Sequence, residues 1–208
     1  MDKKSATNEL GSRFARALSL AVEWHGAQTR KGVPIPYISH LMTVSSIAME
    51  HGGNEDEAIA ALFHDALEDA PNADEAAKRE VLMREEFGDT VAEIVLGCTD
   101  GKPNDGGEKA PWKERKTAYL TAMRNKPANT LLVAGSDKLH NLSCTVRDVR
   151  RDGSETLSRF NTGADELAWY YSEIGRILAD RNVPMAKEYN TLLAEFKEAL
   201  PCDANPET

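Results

Sequence analysis

Apolar side chains recur every three or four residues through most of this chain, and this spacing constrains the fold more than any other feature. The first apolar stripe consists of Leu10, Phe14, Leu18, Ala21 and Val22. Residues at this spacing lie on one face of an α-helix, which can then be buried against other helices. The sequence shows no convincing alternation of the kind that strands require and no internal repeat. We therefore predict an all-α fold.

Capping residues and helix breakers predict where several helices begin. Asn54 and Glu57 have the spacing of a capping box. Ser39 is a plausible N-cap, which places His40 in the first turn of its helix. Pro127 suits the start of another helix. Further helices are predicted over about 74–86, about 88–98, from Trp112 to about Met123, and in two amphipathic segments between about 160 and 200.

Length, charge and cysteine content limit the class of protein. A chain of 208 residues can bury one sizeable core, so we expect a single compact helical domain over residues 1–208, with the helices of about 160–200 packed on it. The net charge of −9 argues against nucleic acid as a partner, although the sequence still allows a pocket for a small anion.

The cysteine content favours the reducing environment of the cytosol, because the three cysteines have no paired spacing. They are Cys98, Cys144 and Cys202. Without a signal-like or membrane-length apolar run, we expect a cytoplasmic protein with no membrane partner.

The segment HDALED at residues 64–69 carries the strongest chemical signal. On a continuous helix, His64, Asp65, Glu68 and Asp69 fall within roughly 140° of arc and can face one cavity. The apolar run AIAALF precedes them, so an exposed charged face is the weaker interpretation. Ionisable groups grouped beside apolar residues are costly unless a cation or a reaction compensates them.

Two distant residues could complete a metal site with the doublet of His64 and Asp65. His40 lies upstream, and Asp137 lies in an apolar segment within SDKLHN. Two imidazoles and two carboxylates suit Mn²⁺, Fe²⁺ or Zn²⁺. The alternative for Asp137 is a structural ion pair with Arg or Lys, and ligation is favoured because of the doublet.

The acidic pair Glu68 and Asp69 admits two roles. The pair could orient the metal ligands, or it could position or deprotonate an attacking water.

The basic pair Arg30 and Lys31, on a loop rich in Gly and Pro, could clamp phosphate or stack on a base, with surface solvation as the alternative. A second basic run lies in the helix predicted from Trp112 and consists of Lys113, Arg115 and Lys116. This run could be an ordinary charged face of the helix, or it could reach a diphosphate group of a ligand.

Five motifs occur in the order found in a known family. They are HGAQTRKG at 25–32, PYISH at 36–40, HDALED at 64–69, FGDTVAEIVLGCTDG at 87–101 and SDKLHN at 136–141. With them the chain resembles the HD-domain phosphohydrolases, and more closely the hydrolase domain of the Rel/Spo stringent-response enzymes. The greatest likeness is to the free-standing small alarmone hydrolases. The resemblance covers roughly residues 10–151.

The resemblance implies an HD-type helical bundle that binds one divalent ion, usually Mn²⁺. The implied ligands are His40, His64, Asp65 and Asp137, and the implied catalytic pair is Glu68 and Asp69. The implied substrate-binding residues are Arg30 and Lys31 beside the purine and Asn141 near the nucleoside. Apart from the resemblance, Arg115 or Lys116 of the second basic run could offset the negative charge of the phosphates. The implied reaction is hydrolysis of the 3′-diphosphate of (p)ppGpp to GDP or GTP and pyrophosphate. Because no synthetase domain follows, we expect degradation of the alarmone without synthesis.

Three alternatives stay open. The loop between Lys31 and PYISH is one residue longer than in the long bifunctional enzymes, so adenosine alarmones ((pp)pApp) are a possible substrate. Another HD-type nucleotide phosphohydrolase would have a similar metal site, but would leave the acidic pair and the RKG…PYISH loop unexplained. A catalytically silent nucleotide-binding module is opposed by the full set of metal and acid residues. The sequence leaves open the purine preference, the physiological metal and the oligomeric state.

Overall fold

The computed structural model describes residues 9–99, 110–160 and 162–200. Over this part of the chain the regular structure is helical, and the only strand-like feature is an isolated bridge between Thr29 and Pro36. The prediction of an all-α fold is confirmed. The end of the motif FGDTVAEIVLGCTDG, together with Cys202, lies outside the described residues.

Two compact units are distinguished by their internal packing. The first unit contains five complete helices and the beginning of a longer one: α1 (Ser12–His25), α2 (Ile38–Glu50), α3 (Glu55–Phe63), α4 (Ala73–Phe87), α5 (Asp89–Cys98) and α7 (Ala128–Asp152) as far as Asp137. The second unit contains α6 (Trp112–Met123), the rest of α7, a 3-10 helix (Ser154–Arg159), α8 (Ala164–Asp180) and α9 (Ala186–Ala199). The single domain inferred from sequence, with its C-terminal helices packed on the core, stays a prediction.

The core of the first unit forms where the apolar faces of its helices meet. The Phe63 ring lies at its centre, with ring centroids 5.0 Å from Trp24 and 5.2 Å from Phe87. Arg13 links the start of α1 to Glu55 and donates a hydrogen bond to the carbonyl of Phe87. The first unit is therefore held by apolar packing inside and by ion pairs at its rim.

Local sequence signals fix several helix ends. Asn54 caps α3, and Glu57 bonds back to the Asn54 backbone, so the predicted capping box is confirmed. The prediction that Ser39 caps α2 is wrong. The N-cap is Tyr37, and the Ser39 hydroxyl donates to the carbonyl of Pro36. Tyr37 already has helical backbone angles, so the chain turns into the helix before it reaches Ser39.

The second unit has its own apolar core. Tyr171 and Phe196 meet edge to face, with ring centroids 5.4 Å apart. Gly175 of α8 faces Asn190 of α9, which donates a hydrogen bond to the Gly175 carbonyl. None of the described helices has the length and the apolarity that crossing a bilayer requires.

Candidate metal and catalytic site

His64 stands immediately after the C-terminus of α3. Its Nδ1 lies 2.8 Å from the carbonyl oxygen of Ala61, which can only accept, so Nδ1 carries the hydrogen. The expectation that one continuous helix carries HDALED is therefore wrong: α3 ends at Phe63, because the imidazole takes a carbonyl that a further helical turn would use. One helix-like bond, from the Asp69 amide to the Asp65 carbonyl, keeps the acidic residues a turn apart.

The structure brings His40, His64, Asp65 and Asp137 together. His40 comes from the first turn of α2, and Asp137 from α7. The His40 Nε2 atom lies 3.2 Å from Asp137 Oδ1 and 3.9 Å from Asp65 Oδ2. The His64 Nε2 atom lies 3.0 Å from Asp65 Oδ2 and 3.7 Å from Asp137 Oδ1. Both imidazoles and the Asp137 side chain are buried, whereas Asp65 is partly exposed.

These spacings fit one divalent ion. Two ligand atoms at about 2.1 Å from a common ion are about 3.0 Å apart at a right angle and about 4.2 Å apart when opposite. The ligand atoms of His40, His64 and Asp65 lie within 4.8 Å of one another. The buried His64 Nε2 atom lies beside the carboxylates of Asp65 and Asp137 without the alignment of a hydrogen bond, as expected for a nitrogen that ligates. The residues present therefore fit the metal.

The two carboxylates favour a positive charge between the two imidazoles. Burial lowers the pKa of His40. Burial also opposes protonation of His64, but the carboxylates of Asp65 and Asp137 outweigh it and raise the His64 pKa well above its ordinary value. Burial raises the pKa of Asp65, and the neighbouring His64 reverses this and holds it below its usual range. A divalent cation would satisfy the same electrostatic demand with a larger charge.

Tyr37 joins the site from the loop before α2. Its hydroxyl donates a hydrogen bond to Asp65 Oδ2. Its ring lies against His25 and His40, with centroids 5.5 Å and 5.3 Å away. Sequence reasoning missed this residue, although it precedes His40 by one helical turn within the motif PYISH. A hydrogen bond of this kind orients the carboxylate of a metal ligand.

Glu68 and Asp69 lie on the turns that follow α3, and both are exposed. Gln28 donates a hydrogen bond of 2.8 Å to Asp69 Oδ2, and His25 Nδ1 lies 2.7 Å from Gln28 Oε1. Neither His25 nor Gln28 was among the site residues predicted from the sequence. The available signal was the position of Gln28 three residues after His25 in HGAQTRKG.

The predicted substrate-binding residues divide between the two units. Arg30 lies on the same loop as Tyr37, with its guanidinium carbon 5.9 Å from the centre of that ring, and Lys31 beside it is exposed. The second unit contains the other three: Asn141, Arg115 and Lys116. Within that unit the Lys116 ammonium lies 5.0 Å from the centre of the Tyr170 ring.

A family model described as the HD domain matches residues 17–161 of the chain, which is more than half its length. The chain belongs to the HD domain family. The resemblance inferred from the five motifs is therefore confirmed at the level of the family. An HD domain is a hydrolase fold that implies a divalent metal, and the grouping of His40, His64 and Asp65 agrees with that implication.

Curated relatives of this HD domain are much longer proteins. The GTP pyrophosphokinase of Streptomyces coelicolor is 29% identical over 217 residues, covering 93% of this chain and 24% of that protein. The guanosine-3′,5′-bis(diphosphate) 3′-pyrophosphohydrolase of Aquifex aeolicus is 38% identical over 128 residues, covering 61% of this chain and 17% of that protein. The chain thus spans about a quarter or less of the length of these relatives.

Solved structures share the fold. One, described as a metazoan ortholog of SpoT that hydrolyses ppGpp and plays a role in starvation responses, has a TM-score of 0.66 at 24% identity, and the match covers 93% of this chain and 96% of that one. The Listeria monocytogenes protein lmo0812 has a TM-score of 0.63 at 27% identity, with 76% of this chain and 99% of that one covered. These likenesses confirm the HD-type helical fold.

Proposed function

We propose that this HD domain hydrolyses the 3′-diphosphate of guanosine alarmones, (p)ppGpp, giving GDP or GTP and pyrophosphate. The observation that carries the proposal is the convergence of four potential ligands from distant parts of the sequence, two of them on the same turns as the acidic pair. His40, His64, Asp65 and Asp137 are the proposed ligands, with ligand atoms 3.0 to 3.9 Å apart across the imidazole–carboxylate pairs. The relatives named as 3′-pyrophosphohydrolases of the guanosine bis-diphosphate support the substrate class.

Manganese is the proposed ion. Imidazole and carboxylate donors form a hard-to-borderline set that accepts Mn²⁺, Fe²⁺ or Zn²⁺, and the resemblance favours Mn²⁺. When bound, the ion supplies Lewis acidity, which polarises phosphoryl oxygens and makes water more acidic. His64 is prepared for ligation because Ala61 holds its Nδ1–H and leaves Nε2 directed at the carboxylates.

The acidic pair performs the proton chemistry. Asp69, together with Glu68, accepts a proton from the attacking water. The new bond joins the water oxygen to the phosphorus nearest the ribose, and the bond that breaks joins this phosphorus to the 3′-oxygen. The 3′-oxygen leaves with a proton, and pyrophosphate carries the oxygen from water. Arg30 and Lys31, with Asn141, Arg115 and Lys116, are proposed to bind the base, the nucleoside and the phosphates.

Product analysis tests this proposal. The purified chain is incubated with ppGpp, pppGpp and the adenosine alarmones, with and without Mn²⁺, and the products are separated by chromatography. We expect pyrophosphate and GDP from ppGpp only when Mn²⁺ is present, and no turnover by the His64→Ala or Asp65→Ala variants. Turnover of adenosine alarmones alone would contradict guanine preference. Tight alarmone binding without pyrophosphate release would contradict the enzyme and support a silent binding module. The cytoplasmic location stays a prediction.

A further inference from the structure

A chain of two hydrogen bonds links the buried His25 to the exposed Asp69. His25 Nδ1 lies 2.7 Å from Gln28 Oε1, and Gln28 Nε2 donates to Asp69 Oδ2 over 2.8 Å. His25 ends α1, Gln28 lies in the following loop, and Asp69 lies on the turn after α3. The two bonds therefore connect helix α1, which holds none of the proposed metal ligands, to Asp69, the proposed proton acceptor.

The direction of both bonds is fixed by chemistry. A carboxylate can only accept, so the Gln28 amide nitrogen must face Asp69 and its oxygen must face His25. His25 then donates from Nδ1, and its buried Nε2 makes no hydrogen bond with any described residue. A proton on Nε2 would be buried without an acceptor, which favours the neutral ring. Burial lowers the pKa of His25 in the same sense.

Gln28 is held at its backbone as well as at its side chain. Its amide donates to the His25 carbonyl over 2.9 Å, and its carbonyl accepts from the Tyr37 amide over 2.9 Å. The His25 ring is buried and stacks on the Tyr37 ring. Gln28 is thus fixed between the end of α1 and the start of α2, and its amide has little freedom to turn away from Asp69.

We infer that Gln28, supported by His25, is a positioning residue that holds the Asp69 carboxylate in the orientation needed to take a proton from water. The Asp69 side chain is 31% exposed, so without this bond it could rotate into solvent among its staggered rotamers. Displacement of a catalytic group by about 1 Å can lower a rate on the order of 100-fold. The inference rests on the proposed hydrolysis and adds two residues to it.

Steady-state kinetics of four variants test the inference: Gln28→Ala, Gln28→Glu, Asp69→Asn and the double variant Gln28→Ala/Asp69→Asn. For ppGpp with Mn²⁺, we expect Gln28→Ala to lower kcat about 10- to 100-fold. KM, bound Mn²⁺ and Tm should stay close to those of the unaltered chain. Gln28→Glu keeps an acceptor for His25 but presents a carboxylate to Asp69, so it should lose at least as much kcat. Thr29→Ala, an exposed neighbour on the same loop, is the control and should retain full activity.

The double variant separates positioning from a purely structural role. Once Asp69 has lost its carboxylate there is nothing for Gln28 to orient, so the second substitution should cause no further loss of kcat. Additive losses, or a fully active Gln28→Glu variant, would overturn the inference while leaving the proposed hydrolysis intact. Absence of pyrophosphate release by the unaltered chain would instead overturn both.

Nitrogen NMR of the His25 ring gives a readout that does not depend on turnover. At neutral pH we expect a hydrogen on Nδ1 and none on Nε2, with the Nδ1–H signal shifted in Gln28→Ala. A hydrogen found on Nε2 alone would reverse the bond to Gln28 and overturn the inference.

Discussion

Tyr37 and Asp65, separated by 28 residues in the sequence, are joined by a hydrogen bond from the phenol to Oδ2 of the carboxylate. Burial and the nearby charge of Asp65 raise the pKa of Tyr37 above its ordinary value, so the phenol remains protonated and acts as the donor. Asp65 Oδ2 is also the oxygen that lies 3.0 Å from His64 Nε2. Tyr37 therefore fixes the carboxylate on the side facing the proposed metal.

The Tyr37→Phe variant should bind Mn²⁺ more weakly by about 10- to 100-fold, because a proposed ligand loses the hydrogen bond that orients it. The ring contacts with His25 and His40 do not need the hydroxyl, so Tm should change little. Isothermal titration calorimetry of the metal-free chain measures the change in affinity. Tyr189→Phe is a matched control, because the buried Tyr189 hydroxyl makes no hydrogen bond with any described residue. Equal Mn²⁺ affinity in both variants would show that Tyr37 does not orient Asp65.

The Glu68→Gln variant should retain Mn²⁺ and lose kcat by about 100- to 10,000-fold, because it removes a group proposed to take part in proton transfer. Metal analysis and steady-state assays with ppGpp on the same preparation check both parts. Glu85→Gln, an exposed residue of α4, serves as the control and should keep its rate. Normal turnover by Glu68→Gln would leave Asp69 as the sole candidate for the proton acceptor.

Removal of the metal should abolish turnover and destabilise the fold. We expect the chelator-treated chain to be inactive and Mn²⁺ to restore it. At 100 times the dissociation constant, Mn²⁺ should stabilise the native state by about 2.7 kcal/mol, seen as a higher Tm. The His64→Ala variant should show no such rise. If Mn²⁺ stabilised the His64→Ala variant as much as it stabilises the unaltered chain, the ion would have to bind elsewhere.

Arg79 should stabilise the turn that carries Asp65 and Asp69. The buried Arg79 side chain donates a hydrogen bond of 2.8 Å to the Ala66 carbonyl and lies over the Trp24 ring. We expect Arg79→Met to lower the free energy of unfolding by about 1 to 3 kcal/mol, measured by urea denaturation. Lys78→Met, at an exposed neighbouring position, should change it by no more than about 0.5 kcal/mol. Equal effects of the two substitutions would contradict this role.

Features set by neighbours in the sequence could be predicted. The helix Trp112–Met123 has the bounds predicted from the sequence. The capping box of Asn54 and Glu57 depends on residues three positions apart, and it forms as predicted. Local pattern failed where a side chain competes with the helix, as when His64 takes the Ala61 carbonyl and α3 stops at Phe63.

Contacts between distant segments could not be predicted from pattern alone. The hydrogen bond from Gln28 to Asp69 spans 41 residues, and only the packing of α1, α2 and α3 brings its partners together. His40 and Asp137 were inferred from residue chemistry and family resemblance, and the structure places their side chains 3.2 Å apart. The exposed basic residues gave no comparable signal, since solvated surfaces carry many such charges.

The central claim is that two imidazoles and two aspartates bind one ion, and a crystal structure of the chain grown with Mn²⁺ tests it most directly. Anomalous scattering locates the manganese independently of the protein atoms. We predict one strong peak at about 2.0 to 2.2 Å from His40 Nε2, His64 Nε2 and a carboxylate oxygen of both Asp65 and Asp137. A manganese peak elsewhere, or one that His40 or Asp137 does not reach, would contradict the account.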